Sequence, residues 1–254
     1  MTDTHPPQAV VTMHGIVKRF DRVVALNGVD LAIPSGQVHA LVGENGAGKS
    51  TLMHILAGVQ QADAGLISLR NQPVKIPDVE AANRLGIAMV HQHFMLFPSL
   101  TVAENLTIGR EPRRHALFDR QAAEQAVARL GDKYDLRIDP HARVSELTVG
   151  DLQRLEILRA LYRGAEVLIL DEPTGVLTPQ EAQGLFRVIR ELIRDGKTAI
   201  FISHKLDEVL EISESITVLR DGQVTGRLKT ADTNAQEIAR LMVGREVFLQ
   251  FGQA

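Results

Sequence analysis

The spacing of apolar positions changes along the chain, from a period of two near the start to a helical period farther on. Three strand-like runs, VVTMHGIVKRF, VVALNGVDLAI and GQVHALVG, are accompanied by the turn signals FDR, LNG and PSG. Runs of this kind between turn residues are typical of β-strands. We therefore predict a β-rich region from residue 10 to about residue 42, preceded by a flexible tail at residues 1–9.

Beyond this region the pattern alternates between helices and strands. A helix is expected at 49–57, followed by the strand-like run GLISLRNQPV, a short helix capped by Asp78 and Gly86, and the buried run GIAMV. The apolar runs EVLIL and TAIFIS flank a further helix from Pro179 to about Arg194. Strands joined by crossover helices imply a parallel sheet with helices on both faces, so we predict an α/β fold with a mostly parallel sheet.

Residues 96–160 are expected to form an inserted helical subdomain. The run DRQAAEQAVARLGD has Asp119 as its N-cap and Gly131 as its C-cap. A second helix follows the stretch LTVGD and ends near Gly164. Its apolar stripe consists of Leu152, Leu155, Ile157, Leu158 and Leu161.

Residues 43–51, GENGAGKST, fit the pattern G-x-x-x-x-G-K-[ST] between a strand and a helix. The glycines let backbone N–H groups surround a phosphate, Lys49 would reach the β- and γ-phosphates, and the Ser50 hydroxyl would hold Mg²⁺. A chance match in a chain this long is roughly a one-in-a-hundred event, so we predict binding of ATP and Mg²⁺. The nucleotide-binding residues are then Gly43, Glu44, Asn45, Gly46, Ala47, Gly48, Lys49, Ser50 and Thr51.

The apolar strand VLILDEP ends in two acids, Asp171 and Glu172. An acid at the end of such a strand supports Mg²⁺ in P-loop NTPases, which here would be Asp171. Glu172 points elsewhere and could polarise the attacking water as a general base. The alternative, that the two acids merely begin a loop, is much weaker once they are paired with the phosphate loop.

Composition narrows the classes of protein that fit. The 254 residues are 44% hydrophobic and 23% charged, with a net charge of −3, so nothing in the global charge suggests a polyanion such as nucleic acid as partner. The absence of cysteine excludes disulfides and thiol chemistry. No signal peptide is recognisable, and no run approaches the roughly 18 apolar residues of a membrane helix.

Five segments stand in the order found in ATP-binding cassette (ABC) proteins: the phosphate loop, VHQHF, LTVGD, LILDEPT and FISH. The chain resembles this family from about residue 10 to about residue 245. The resemblance implies that Phe20 stacks on adenine, that Gln92 senses Mg²⁺ and the attacking water, and that His204 holds the γ-phosphate. Phe20 could instead be a core aromatic, and His204 a helix-start residue beside the cap Ser203.

A narrower resemblance is to the first cassette of tandem-cassette ATPases that drive bacterial import of nucleosides and simple sugars. It is carried by MVHQHFMLFPSLTVAENL, by LTVGDLQRLEILRALYRGAEVLILDEPTGVLTPQE and by LMVGREV. It implies a second cassette as partner (a tandem half or a second copy), transmembrane permease subunits, and indirectly a solute-binding protein. The chain would then be a half of a longer protein, cytoplasmic and peripheral on the inner face of the cell membrane. The rival interpretation is a soluble ABC-type ATPase that acts on nucleic acid or ribosomes.

The loop LTVGD departs from the usual ABC signature L-S-G-G-Q. By resemblance this signature loop, Thr148, Val149, Gly150 and Asp151, faces the nucleotide bound by the partner cassette. Helix N-termini favour anions, so the carboxylate of Asp151 is unexpected there. The resemblance offers an explanation, because the second cassette of such tandem proteins usually has a damaged phosphate loop and requires little hydrolysis at that site.

Three further features have structural explanations. Thr178 replaces the Asp of the usual S-A-L-D motif, and it forms a predicted capping box with Glu181 beside Pro179. His91 and His93 could suggest a metal site, but two histidines without a third ligand are more often packing or surface residues. A solvated loop is the better interpretation of the basic cluster, which consists of Arg110, Arg113, Arg114 and His115.

Overall fold

The computed structural model describes residues 9–91 and 94–244. The strands are β1 (Ala9–Phe20), β2 (Val23–Pro34), β3 (Val38–Val42), β4 (Ala64–Leu69), β5 (Gln72–Val74), β6 (Ile87–Val90), β7 (Arg113–Arg114), β8 (Leu117–Phe118), β9 (Val167–Asp171), β10 (Thr198–Ile202), β11 (Ser215–Arg220) and β12 (Gln223–Lys229). The α-helices are α1 (Lys49–Leu56), α2 (Val79–Arg84), α3 (Val102–Thr107), α4 (Arg120–Tyr134), α5 (Val149–Tyr162), α6 (Pro179–Arg194), α7 (Leu206–Ile212) and α8 (Ala235–Val243).

The larger sheet has the strand order β12-β11-β3-β10-β9-β6. Strands β11, β3, β10, β9 and β6 run parallel, and β12 pairs antiparallel with β11 at one edge. This confirms the predicted α/β fold with a mostly parallel sheet. Because the strands are parallel, their carboxyl ends meet at one edge of the sheet, where ligands bind in open α/β folds.

Alternate residues of the central strands enter two separate hydrophobic cores. In β9, Val167 and Ile169 pack into the core that contains α1 and the N-terminal strands. Leu168 and Leu170 pack on the opposite face, into the core built by α3 to α8. A strand that is buried on both faces is a continuous apolar run, which explains why EVLIL carries no alternation in its sequence.

The N-terminal strands form a second, antiparallel sheet in the order β2-β1-β4-β5. This confirms the predicted antiparallel β-subdomain, but the turn predicted at LNG is wrong. Gly28 has φ 71° within β2, where the pairing register shifts between Ile16–Val29 and Val17–Asn27. The extra residue makes a β-bulge, which bends the strand without ending it.

Helices α3, α4 and α5 form the helical subdomain, and one of its predicted boundaries is wrong. Asp119 caps α4 by accepting from the Ala122 N–H, but the helix continues through Gly131 to Tyr134. The segment that follows the helix passes close to Gly131. A Cβ at Gly131 would lie 3.2 Å from the carbonyl oxygen of Leu136. Gly131 therefore permits a close approach inside the helix, while Asp135, with φ 55°, takes the C-cap position.

Three of the four residues of the basic cluster, Arg113, Arg114 and His115, lie on a short exposed hairpin rather than on an irregular loop. Arg113 pairs with Phe118 and Arg114 with Leu117. The two turn residues, His115 and Ala116, have φ 52° and 66°, as a type I′ turn requires. In the part of the chain that the model describes, no helix is long and apolar enough to cross a membrane.

His39 lies in the centre of the larger sheet and gives a pH-dependent contribution to stability. It is 4% exposed, and its ring nitrogens lie 2.8 Å from Ser215 Oγ and 3.0 Å from Thr217 Oγ1. Burial lowers the pKa of the imidazole from 6.5 to about 4. The unfolded chain therefore takes up a proton at a higher pH than the folded chain, so protonation favours unfolding as the pH falls from 6.5 towards 4.

We expect this residue to remove about 3 kcal/mol from the free energy of unfolding across that window, at about 1.4 kcal/mol per pH unit. Urea unfolding of the parent and of His39→Gln at several pH values measures the effect. The difference in stability between parent and variant should shrink as the pH falls. The control Thr107→Val removes a buried hydroxyl and no ionisable group, so its difference from the parent should stay constant. A parent–variant difference that stays constant over the window would contradict the assignment.

Candidate functional site

The phosphate loop joins the carboxyl end of β3 to the first turn of α1. Gly48 has φ 102°, and a Cβ there would lie 2.7 Å from the carbonyl oxygen of Ala25 and 2.8 Å from Leu26 Cδ2. Only glycine fits both the backbone conformation and this close approach of β2. The loop is held further by bonds from the Gly222 N–H to the Ala47 carbonyl and from the Ala47 N–H to Glu44. These contacts within the protein fix the shape of its backbone.

Lys49 is folded into the loop that it belongs to. The residue is 5% exposed, and its Nζ donates to the carbonyl oxygens of Gly43 at 2.7 Å and Glu44 at 2.9 Å. Burial lowers the pKa of the ammonium group, and the negative charges of Glu172 and Asp171 oppose that change. In the described residues the ammonium group makes no direct ion pair with a carboxylate, and a buried charge favours a partner of opposite sign, so an anion in the loop would supply one.

Asp171 and Glu172 lie at the carboxyl end of β9, beside the phosphate loop. Burial raises the pKa of Asp171, while His54, Lys49 and the nearby Ser50 hydroxyl oppose the rise. The Asp171 carboxylate therefore lies near the Ser50 hydroxyl. Oxygen donors of these two types are what Mg²⁺ uses when phosphates supply the remaining ligands.

Glu172 is held in a conformation that side-chain-bearing residues rarely adopt. Its φ is 46°, and its N–H donates to the carbonyl oxygen of Ile202 at the end of β10, at 3.0 Å. This bond crosses to the neighbouring strand and brings Glu172 beside the loop that follows β10. Left-handed backbone at a non-glycine residue costs free energy and is concentrated at functional sites.

His204 completes this cluster. Its Nδ1 lies 3.1 Å from Glu172 Oε1, and its side chain is 52% exposed. The loop is anchored by the buried Ser203, whose Oγ accepts from the Lys205 N–H. Lys205 itself takes the N-cap position of α7 and makes no side-chain capping bond. His204 therefore lies beside Glu172 in the loop that follows β10, with half of its side chain exposed.

A second contact between the same two loops was not predicted. Thr174 Oγ1 donates to Glu208 at 2.5 Å, and Lys205 Nζ donates to the Thr174 carbonyl at 3.2 Å. These bonds tie the loop after β9 to α7. The residues are more than thirty positions apart in the chain, and no motif marks Thr174 or Glu208 individually, so the sequence carries no signal for the contact.

The other predicted residues of the site are placed differently. Phe20 ends β1 and is 42% exposed, which excludes the alternative that it is a core aromatic. The Lys18 ammonium lies 5.4 Å from the centre of its ring. Gln92 and His93 lie outside the described residues. His91 is described, and its ring centre lies 6.2 Å from that of His54.

Comparison with known proteins agrees with this geometry. A protein-family model described as "ABC transporter" matches residues 26–175, which is more than half of the chain. The chain belongs to the ABC transporter family. It therefore takes the ABC cassette as its fold, with the phosphate loop, the two acids and His204 at the carboxyl edge of the parallel sheet.

Individual relatives of this ABC cassette are import proteins. The chain is 49% identical to the ribose import ATP-binding protein RbsA 1 of Rubrobacter xylanophilus, over 95% of this chain and 48% of that protein. It is 48% identical to the guanosine import ATP-binding protein NupO of Bacillus subtilis, over 94% of this chain and 47% of that protein. The chain thus spans about half the length of the curated relatives it matches. It is also similar to a bacterial ABC transporter cassette solved as a dimer, with a TM-score of 0.74, 25% identity and coverage of 87% and 98% of the two chains.

The signature loop of this cassette forms the start of α5, and the Asp151 side chain bonds to residues of the same helix and its cap. Thr148 caps α5 by accepting from the Asp151 N–H, and its hydroxyl donates to Asp151 Oδ2 at 2.8 Å. Arg154 Nη1 lies 3.2 Å from Asp151 Oδ1. Val149 is 40% exposed, so it remains open to contact. The Asp151 carboxylate thus holds the hydroxyl of the N-cap residue Thr148, and the neighbouring Arg154 offsets its charge.

The loop after β9 packs against the signature loop within the same cassette. Thr178 and Glu181 form the predicted capping box, with Pro179 in the first turn of α6. A Cβ at Gly150 would lie 2.8 Å from Glu181 Oε1. Gly150 therefore leaves room for the Glu181 carboxylate where the starts of α5 and α6 approach each other, which was not predicted from the sequence.

Proposed function

We propose that the chain binds Mg·ATP and hydrolyses it as the ATP-binding part of an importer. The observation that carries this proposal is the convergence of Lys49, Glu172 and His204 from three adjacent strands, β3, β9 and β10, on one edge of the sheet. A phosphate-binding loop alone is compatible with nucleotide binding without chemistry. A carboxylate and an imidazole in contact beside the loop add the groups that hydrolysis requires.

Each residue of the cluster has one role in this proposal. The loop N–H groups and Lys49 bind the phosphates, and Ser50 with Asp171 and Gln92 would hold Mg²⁺, which neutralises charge on the phosphates when bound. Glu172 accepts a proton from the attacking water. Its backbone bond to Ile202 holds it at the carboxyl edge of the sheet, beside the end of β10. His204 contacts Glu172 and would hold the γ-phosphate, while Phe20 offers an exposed ring on which the adenine can stack.

A second cassette supplies the rest of the ATP site. The hydrogen bonds of Thr148 and Asp151 stay within α5 and its cap in the described residues, and Val149 is exposed, so the signature loop is available to another cassette. The similarity to a cassette that forms dimers supports this arrangement. The relatives' double length is compatible with a second cassette in the same polypeptide.

The transport partners follow from the relatives and from one surface groove. Ribose and guanosine import proteins are both about half identical to this chain, so we propose import of a simple sugar or a nucleoside rather than action on nucleic acid or ribosomes. A groove of about 320 Å³ between α2 and α5 is lined by the exposed apolar side chains of Val59, Val79 and Met95. Exposed apolar residues grouped in a groove are typical of a protein contact, here with transmembrane permease subunits at the inner face of the membrane. A solute-binding protein would act through those subunits.

ATP-dependent association tests the proposal in the background Glu172→Gln, where bound nucleotide persists. Asp151→Gln should strengthen self-association, and Arg154→Ala should weaken it by exposing the carboxylate, each by about fivefold, because exposed charge pairs are worth up to about 1 kcal/mol. Sedimentation velocity with Mg·ATP measures both, with Lys49→Ala as the control that should not associate. Association that is independent of ATP, or effects of the opposite sign, would contradict closure through the signature loop.

A further inference from the structure

A second pocket, of about 350 Å³, lies at the edge of the larger sheet where the parallel strands begin. Gly86, which precedes β6, and Glu166, which precedes β9, both line it. The phosphate loop and the two acids lie at the opposite edge. Strand β9 is five residues long, and a strand rises about 3.3 Å per residue, so roughly 15 Å separates the two edges. The pocket is therefore distinct from the proposed ATP site.

Arginine dominates the lining of this pocket, which we call the arginine pocket. Four arginines and one glutamate line it, so the net charge of the lining is +3. Leu85 contributes the one large apolar side chain of the lining among the described residues. Such a lining favours a small anion over an apolar ligand. The arginines are Arg70, Arg84, Arg110 and Arg163.

Two of these arginines are balanced by carboxylates on the surface. Arg70 pairs with Glu166, and Arg84 pairs with Glu80 one turn earlier in α2. All four side chains are more than half exposed. Water screens exposed pairs of this kind, and each contributes little to stability. An anion that enters the pocket can therefore share Arg70 and Arg84 without breaking a buried ion pair.

Arg110 and Arg163 are not balanced in this way within the described residues. Arg110 Nη1 donates to the Arg163 carbonyl at 2.7 Å, and Arg163 Nη2 donates to the Ile108 carbonyl at 3.1 Å. The Arg163 Nε is buried and has no partner in the described part of the chain. Burial and the charges of Arg159 and Arg110 lower the pKa of Arg163, and the charge of Glu156 opposes this change. A cation in such surroundings is stabilised by an added anion more than an exposed cation is.

We propose that the arginine pocket binds a phosphate group. Guanidinium groups bind phosphate through pairs of parallel N–H···O bonds, and the oxygens of one phosphate can accept from several arginines at once. The site goes beyond the proposed function, because neither binding nor hydrolysis of ATP uses it.

The phosphate has two possible sources. One is a small soluble phosphate compound. The other is a lipid headgroup, because the pocket shares Asn83 and Arg163 with the groove between α2 and α5 that we assign to the permease subunits at the membrane. Basic pockets on the cytoplasmic side of membrane proteins bind phospholipid headgroups. Only this second source relies on the placement that the proposed function gives to the cassette.

The bound group would connect three parts of the cassette. Arg70 lies in the turn between β4 and β5 of the antiparallel sheet, and Arg84 ends α2 beside the larger sheet. Arg110 follows α3 and Arg163 follows α5, both in the helical subdomain. A phosphate that accepts hydrogen bonds from these arginines therefore restrains the helical subdomain relative to both sheets.

An NMR titration with inorganic phosphate tests the site. The backbone amide signals of Gly86 and Gly164, which line the pocket, should shift and reach saturation. Arg110→Gln and Arg84→Gln remove exposed guanidinium groups, and each should weaken binding by about fivefold, the size of an exposed charge-pair contribution. The control Arg129→Gln removes an exposed arginine of α4 outside the lining and should bind like the parent. Losses in the two pocket variants no larger than in this control would overturn the proposal.

Vesicle binding separates the two sources. Co-sedimentation is measured with vesicles of phosphatidylglycerol, and vesicles of phosphatidylcholine, which carry no net charge, serve as the comparison. Saturable shifts with inorganic phosphate identify a soluble source. Binding to phosphatidylglycerol that Arg110→Gln weakens and Arg129→Gln does not, without a response to inorganic phosphate, identifies a headgroup. If inorganic phosphate causes no saturable shift and both variants bind vesicles equally, the proposal is wrong.

The amide signal of Gly48, in the phosphate loop, reports the proposed function separately in the same spectra. It should shift with Mg·ATP whether or not the arginine pocket binds phosphate. A chain that binds phosphate at Gly86 and Gly164 but shows no response of Gly48 to Mg·ATP would refute the proposed function and leave the arginine pocket standing.

Discussion

Glu172→Gln is expected to keep tight Mg·ATP binding and to lower kcat by about 100- to 10,000-fold, the range that general-base catalysis contributes. The amide is nearly isosteric with the carboxylate and can preserve the contact with His204, which lies 3.1 Å away. It cannot accept a proton from water. The loss should therefore fall on kcat, because the phosphate contacts made by Lys49 and the loop remain.

The control is Glu166→Gln, the same substitution at the opposite end of β9. Glu166 precedes Val167 and pairs with Arg70 on the exposed surface, away from the carboxyl edge. Steady-state phosphate release and equilibrium nucleotide binding, measured for parent and both variants, separate turnover from affinity. Near-parent turnover in Glu172→Gln would mean that another group accepts the proton.

The phosphate loop and the two acids could be predicted because each is a local motif with a fixed spacing. Their geometry needs only a strand, a tight turn and a helix that are contiguous in the chain, as residues 43–51 are. Thr178 and Glu181 were predictable for the same reason, since a capping box spans four consecutive residues. Chemistry that depends on neighbours in sequence is therefore visible before the fold is known.

The contacts that complete the site depend on the order of strands, which spacing does not encode. Glu172 meets His204 because β9 and β10 are adjacent and parallel, although the two residues are 32 positions apart. The hydrogen bond from the Met95 N–H to the Glu156 carboxylate joins residues 61 positions apart, and no motif predicts it. Gly131 and Gly28 were misassigned for a related reason: a glycine signals a backbone requirement, and only the tertiary contact shows whether it is a cap, a bulge or a close approach.

The side chain of Lys49 should contribute the largest part of nucleotide affinity, so Lys49→Ala is expected to weaken binding by about 100-fold or more. A hydrogen bond to a charged group is worth about 1.5–3 kcal/mol, and the ammonium can bond to two phosphates. The same substitution also removes the bonds to Gly43 and Glu44 that close the loop. Affinity therefore falls through lost charge and through a less ordered loop.

Two variants test which part of the side chain matters. Lys49→Met keeps an apolar stem of similar length in the buried position but lacks the ammonium group and its bonds to Gly43 and Glu44, so it separates the head group from the packing of the stem. It should bind almost as weakly as Lys49→Ala. Lys197→Ala removes a lysine at the opposite edge of the sheet, just before β10, and should bind like the parent. Calorimetric titration with Mg·ATP measures all four proteins. If Lys49→Met bound like the parent, packing of the stem and not the ammonium charge would hold the loop, and the phosphates would have to be bound by the backbone alone.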